Sequence, residues 1–162
     1  MKKLILICGP AGIGKSTFSK GYIHDHPEEK VFVLAADEFR KQLYGGYDKF
    51  PPNKNMMYVY ECMCDHANKL IKENDSVTIL LDTTMLYDER RLYFVRNIKG
   101  VDFRSLTLLK LNDYSKCLER NRRREKAKWV PEEVILDMVA SYKDPDEETK
   151  AHFNEVKEIY VD

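Results

Sequence analysis

Apolar residues along the chain fall into short unbroken runs, separated by stretches in which they recur every three or four positions. The first run, residues 2–8, stops at Gly9-Pro10 and reads as a buried strand. A helix is predicted from about Lys15 to His24, ended by the breaker Asp25-His26-Pro27. Val31-Phe32-Val33-Leu34-Ala35 is a second buried strand, followed by a helical turn from Asp37 to Leu43 and a loop through Gly45-Gly46 and Pro51-Pro52. From Asn53 to Lys72, Met56, Tyr60, Met63, Ala67, Leu70 and Ile71 keep a helical period, which predicts one long amphipathic helix. Val77–Leu81 is a third strand ending at Asp82, and a helix over 87–98 and a strand over 104–111 follow. Residues 113–126 read as helical and increasingly basic. Pro131-Glu132-Glu133 opens another helix, with Pro at the first helical position and acids in the first turn. Its apolar face is Val134, Ile135, Met138, Val139 and Tyr142, and residues 156–161 form a short fifth strand. Apolar strands alternating with helices imply a parallel sheet covered on both faces, so the fold class is three-layered α/β.

The length, 162 residues without repeat or linker, fits a single domain over 1–162. Lys+Arg and Asp+Glu both number 27, so the net charge is zero, which argues against a chain that holds nucleic acid or an anionic membrane by bulk charge alone and leaves a local basic patch open. Distribution matters more than the sum. Residues 119–128 hold six basic and two acidic side chains, whereas 144–162 hold seven acidic and two basic. The apolar run Leu4–Cys8 is too short for a signal peptide, and no stretch approaches the ~18 residues of a membrane span. Cys8, Cys62, Cys64 and Cys117 lack redox or zinc-pair spacing and read as reduced thiols. These features together predict a cytoplasmic protein with no membrane partner, and no surface for an obligate protein partner stands out.

Gly9-Pro10-Ala11-Gly12-Ile13-Gly14-Lys15-Ser16, continued by Thr17, satisfies G-x-x-x-x-G-K-[ST] between a predicted strand and a predicted helix. Its glycines let successive N–H groups face a phosphate, Lys15 can reach the β/γ-phosphates of ATP, and Ser16 can place its hydroxyl on Mg²⁺. Asp82, at a strand end, can hold the hydration shell of that Mg²⁺, or simply cap the next segment. Asp37 follows the second strand and so lies on the rim where open α/β sheets bind ligands. A carboxylate there can take the proton of an attacking hydroxyl, act as a helix N-cap, or both. Arg40, one turn on, can grip an anionic group of an acceptor, while Glu38 points into solvent. In the basic run, helical spacing puts Arg120 and Arg124 on one face, and Arg122 and Arg123 elsewhere. A solvated face is the ordinary account of such a run, but beside a phosphate loop one or two arginines can stabilise a transferring phosphoryl group. Tyr44, Tyr47 and Phe50 can stack on a base, though partly buried loop aromatics are the simpler account.

Taken in order, Gly9–Thr17, Asp37-Glu38-Phe39-Arg40, Asp82-Thr83-Thr84 with Glu89-Arg90-Arg91, Arg120-Asn121 through Arg124, and Val130-Pro131 leading to Met138–Tyr142 resemble the polynucleotide 5′-hydroxyl kinase branch of the P-loop kinases. The wider group includes zeta toxins. The resemblance implies sheet order 2-3-1-4-5 and a lid over about 119–131. It implies Asp37 as general base, Arg40 on the acceptor's phosphate, and Lys15 and Arg124 on the transferring phosphoryl group. Arg120 would lie along the bound nucleotide. Ala36 stands where phage-type relatives carry a basic residue, and the chain has no room for a phosphatase domain.

The expectation is therefore an ATP- and Mg²⁺-dependent phosphotransferase acting on a hydroxyl acceptor, first a polynucleotide 5′ end. A small-molecule alcohol (sugar, nucleoside, antibiotic or sugar nucleotide), a toxin-like kinase and a non-kinase ATP-binding regulator are the alternatives.

Overall fold

The computed structural model describes all residues from 1 to 162. Five strands, β1 (Lys2–Cys8), β2 (Val31–Ala35), β3 (Val77–Asp82), β4 (Phe103–Lys110) and β5 (Glu155–Tyr160), form one sheet in the order β2-β3-β1-β4-β5. Every neighbouring pair is parallel. This is the order the family resemblance implied, and it brings the ends of β1, β2 and β3 side by side. Strand alternation divides the core in two. Leu4, Leu6 and Cys8 of β1, with Ile79, Leu81, Leu106 and Leu108, face the two helices α3 (Met57–Glu73) and α4 (Asp88–Asn97). Ile5 and Ile7, with Leu80 and Leu109, face the opposite side, where α1 (Lys15–Asp25), α5 (Ser115–Arg123) and α6 (Glu132–Ser141) pack. The remaining helices are α2 (Ala36–Tyr44) and the short α7 (Glu147–Lys150).

Three boundaries depart from the sequence expectation. The long helix begins at Met57 rather than Asn53, because Pro52–Lys54 forms a separate 3₁₀ turn in which Asn53 and Lys54 have positive φ. The Asn55 side chain then accepts a hydrogen bond from the Met57 N–H (3.0 Å) and starts the new helix. The basic helix stops at Arg123, and Arg124 is extended (ψ 159). Pro131 precedes α6 as its N-cap rather than opening it, with φ −54 and ψ 137. Two elements, the short α7 and a 3₁₀ turn over Lys126–Lys128, have no counterpart in the sequence expectation. The Asp146 cap of α7 accepts from the Thr149 N–H at 2.7 Å.

Arg91, in α4, is completely buried and holds the corner that follows β3. Its Nε donates to the Met85 carbonyl (2.9 Å), Nη1 to Asp88 (3.1 Å) and Nη2 to the Lys143 carbonyl (2.6 Å). Met85 is itself left-handed (φ 41), a conformation uncommon for a residue with a Cβ. Replacing Arg91 by Ala leaves the Met85 and Lys143 carbonyls without this donor and Asp88 without its ion partner, holding only the Asp146 N–H (3.1 Å), which costs about 3–5 kcal/mol. The expected result is a clear fall in the urea unfolding midpoint with unchanged slope. A midpoint unchanged within error would contradict this role.

Candidate active site

The segment between β1 and α1 turns because two glycines permit it. Gly12 has φ +82, and a Cβ there would stand 2.5 Å from the Cys117 backbone oxygen. Gly14, at φ 114, closes the loop as the N-cap position of α1. The Ile13 side chain is fully buried and anchors the loop from below. From the β3 corner, the Thr84 carbonyl accepts from the Gly9 N–H at 3.0 Å. The single Tyr142 hydroxyl proton lies between the carbonyls of Leu109 (2.8 Å) and Cys8 (3.1 Å), a shared donation. Fixed from three sides, the loop presents its N–H groups and the start of α1 outward, a geometry suited to phosphate. Gly12→Ala combines a left-handed non-glycine, at about 1–3 kcal/mol, with a clash against backbone. The variant is expected to melt lower and to lose ATP-analogue binding by calorimetry. Gly21→Ala, whose Cβ meets nothing within 4 Å, keeps both.

Lys15 lies across this loop, its ammonium donating to the carbonyls of Gly9 (2.8 Å) and Pro10 (3.1 Å). Burial lowers its pKa, and the carboxylates of Asp82 and Asp37 oppose that fall. Asp82 ends β3 between Ile7 of β1 and Ala35 of β2. Burial raises its pKa, Lys15 and Arg124 pull it back, and Asp37 pushes it further up. A carboxylate that burial disfavours as an anion gains from a divalent cation nearby. One carboxylate and the exposed Ser16 hydroxyl, with phosphate oxygens and water completing the shell, are the donors that Mg²⁺ uses in nucleotide sites. The residues present fit that ion.

Asp37 is the second residue of α2, so it is not the N-cap; Ala35 holds that position, with no side-chain cap. Its carboxylate is half exposed and stands between two arginines. Oδ1 accepts from Arg40 Nη1 at 2.9 Å, and Oδ2 lies 3.6 Å from Arg124 Nη2. Lys15, Asp37, Asp82 and Arg124 thus form one electrostatic group at the carboxyl end of the sheet.

Arg40 differs from the expectation that it grips an acceptor. It is 8% exposed, and its other nitrogens donate to the carbonyls of Tyr47 (2.7 Å) and Lys49 (3.1 Å), with Phe50 stacked 4.3 Å away. It therefore ties the 45–50 loop to Asp37. Tyr47 lies between the ammonium groups of Lys41 and Lys128, each 4.6 Å from its ring, and donates its hydroxyl proton to Glu38. Glu38 is exposed, as expected, but carries this bond.

The basic segment separates into distinct jobs. Arg122 pairs with Glu132 (2.5 Å) and Arg123 with Glu119 (2.6 Å) on the surface. Arg120 reaches inward, donating to the carbonyls of Ile13 (2.5 Å) and Val161 (3.2 Å), so it braces the phosphate loop itself. Because α5 ends at Arg123, an i, i+4 relation within one helix does not align Arg120 with Arg124. Arg124 instead turns toward Asp37 from extended backbone, its carbonyl accepting from the Trp129 indole at 2.7 Å. Sequence reasoning missed Asn121, which is buried and exchanges two hydrogen bonds with Val130 (2.8 and 3.0 Å), closing the 121–130 segment on itself. A lone Asn among arginines gave no signal of that pairing. Arg90 was also given no role.

Among known proteins, the chain is 28% identical over 146 residues to an L-seryl-tRNA(Sec) kinase of Methanococcus maripaludis. The match covers 88% of this chain but 53% of the relative, so the chain spans about half that protein's length. The crystal structure of Kti12 from Chaetomium thermophilum in complex with ADP-AlF3 superposes with a TM-score of 0.68 at 13% identity, over 98% of this chain and 89% of that one. A fungal RNA kinase superposes with a TM-score of 0.69 at 14% identity, over 99% and 75%. At such identities the two structures speak for the fold alone. The model of the AAA domain family matches residues 4–145, from β1 through the phosphate loop, Asp37, Asp82 and the basic α5. The chain therefore belongs to the AAA domain family, in its P-loop kinase-like form.

Proposed function

We propose that this domain transfers the γ-phosphate of ATP to a hydroxyl carried on a polynucleotide, most simply a 5′ end. The observation that carries the reading is the convergence of Lys15, Asp37, Asp82 and Arg124 beside the phosphate loop. In-line transfer asks little covalent chemistry of a protein and much positioning and charge. The acceptor oxygen forms a bond to the γ-phosphorus while the bond from that phosphorus to the β,γ-bridging oxygen breaks. The acceptor's proton passes to Asp37, and ADP leaves. Asp37 serves as base through Oδ2, while Arg40 holds Oδ1 and so fixes the carboxylate plane. Lys15 and Arg124 face the charge that builds on the equatorial oxygens. Ser16 and Asp82 are the residues that would hold Mg²⁺, which supplies charge neutralisation to the phosphates when bound. Arg120 acts on the nucleotide at one remove, by keeping the Ile13 carbonyl and hence the loop in place.

The polynucleotide acceptor is favoured by the tRNA kinase relative, which matches most of this chain. A panel of acceptors tests it: 5′-hydroxyl RNA, 5′-hydroxyl DNA, seryl-tRNA, free nucleosides and sugars, each with γ-labelled ATP. Label on a nucleic acid and little on sugars is the expected pattern. Efficient labelling of a sugar or nucleoside alone would replace this acceptor with a small molecule.

A further inference from the structure

A single carboxylate joins the end of β5 to the start of α5. The Asp162 side chain turns back onto the segment between β4 and α5, where the Asn112 N–H is shared between Oδ1 and Oδ2, 3.0 Å from each. Oδ2 also accepts from the Asp113 N–H (3.1 Å) and Oδ1 from the Asn112 side-chain amide (3.1 Å), with the Lys116 ammonium 3.5 Å away. Successive N–H groups turned to one anion form a nest, and such bonds are strong because the acceptor is charged. The side chain is 3% exposed, and the Asn112 N–H above all holds its carboxyl below the usual carboxylate range.

The neighbouring residue carries this anchorage to the candidate active site. The Val161 N–H donates to the Lys110 carbonyl (3.0 Å), and the Val161 carbonyl accepts from Arg120 Nη2 (3.2 Å). The other terminal nitrogen, Nη1, donates to the Ile13 carbonyl in the phosphate loop (2.5 Å). Arg120 meets no carboxylate, so main-chain carbonyls aim its guanidinium. One of the two moves with residues 161–162 unless that segment is held. The grip on Asn112 and Asp113 holds it, just ahead of α5, the helix that carries Arg120.

We infer that Asp162 is a positioning residue for the nucleotide: its carboxylate fixes the Val161 carbonyl, that carbonyl fixes Arg120, and Arg120 fixes Ile13 in the phosphate loop. Asp162 itself touches no reacting atom. Its purpose rests on the kinase reading, through ATP binding, while the contacts are independent of turnover. Loosening the outer contact of Arg120 loosens the inner one, and the phosphate loop then samples shapes that hold phosphate less well.

Asp162→Ala, Asp162→Asn, Arg120→Ala and the double variant Asp162→Ala/Arg120→Ala test this in the full chain. Asp102→Ala is the control, because Asp102 makes the same kind of bond, to the Lys2 N–H (2.8 Å), at the opposite end of the sheet. The readouts are calorimetric affinity for a non-hydrolysable ATP analogue and, without nucleotide, deuterium uptake by a peptide spanning the phosphate loop. Asp162→Ala is expected to weaken the analogue by about three- to thirtyfold, the range of coupling through a contact network, and to speed exchange in the loop. Asp162→Asn, which keeps one acceptor oxygen, falls between it and wild type, and Asp102→Ala changes neither readout. In the Arg120→Ala background the Asp162 substitution adds nothing further. Unchanged affinity, a loss without faster loop exchange, or an equal loss with and without Arg120 overturns the role. Phosphotransfer at saturating ATP, measured in parallel, should leave kcat of Asp162→Ala near that of wild type; a fall in kcat with affinity intact also overturns it. Asp162-dependent analogue binding without transfer to any acceptor would sink the kinase reading and keep the positioning role. Transfer by wild type with no dependence of affinity on Asp162 would do the reverse.

Discussion

Asp37→Asn is expected to lower kcat for acceptor phosphorylation by about 10²–10⁴-fold, the usual contribution of a positioned general base. The substitution is nearly isosteric. An amide oxygen still accepts from Arg40 Nη1, so the α2 N-terminus and the 45–50 loop that Arg40 fastens stay where they are. What disappears is the capacity to take a proton at the second oxygen. ATP-analogue affinity should therefore change little, since Asp37 lies beyond the phosphate loop rather than in it. Single-turnover transfer and calorimetric nucleotide binding, measured on the same preparation, separate these effects. Loss of nucleotide binding along with turnover would mean that Asp37 supports the loop through Lys15, not the acceptor.

Arg124→Ala is expected to reduce kcat by about 10³-fold or more, the scale of an arginine finger. The neighbouring residues supply the control. Arg122 and Arg123 differ from Arg124 only in direction, pairing with Glu132 and Glu119 on the surface, where such ion pairs are worth at most about 1 kcal/mol. Their alanine variants should stay within about twofold of wild type. Arg120→Ala has a third signature. It withdraws the donors to the Ile13 and Val161 carbonyls, so KM for ATP and the melting temperature suffer together. Equal losses from all four arginines would show that the segment acts by bulk charge.

The legible and illegible parts of the site differ in a physical way. The phosphate loop is local: its glycines, lysine and serine announce a backbone shape within nine residues, and the flanking strand and helix follow from periodicity. Asp37 and Asp82 were readable because strand ends of a parallel sheet lie on one rim, and the observed order β2-β3-β1 puts theirs side by side. The Arg40 contacts were not readable. Two of its three hydrogen-bond partners are carbonyls of Tyr47 and Lys49, whose placement depends on the path of a loop and on no side chain. Arg91 was hidden for the same reason, since it binds the carbonyls of Met85 and Lys143, the latter 52 residues away. For Arg124, helical spacing supplied the wrong geometry, because the helix ends one residue before it. The short α7 did carry a signal: Asp146-Glu147-Glu148-Thr149 is a cap followed by acids in the first turn.

In the proposed reaction one cleft holds ATP on the phosphate loop and an acceptor hydroxyl against Asp37. Its most direct test is the fate of the γ-phosphate in the presence and absence of a 5′-hydroxyl oligonucleotide. ATP consumption should be slow alone, rise sharply with the oligonucleotide, and leave the label on its 5′ end. Release of free phosphate at one rate, with or without acceptor, would contradict the claim and describe a nucleotide-hydrolysing regulator.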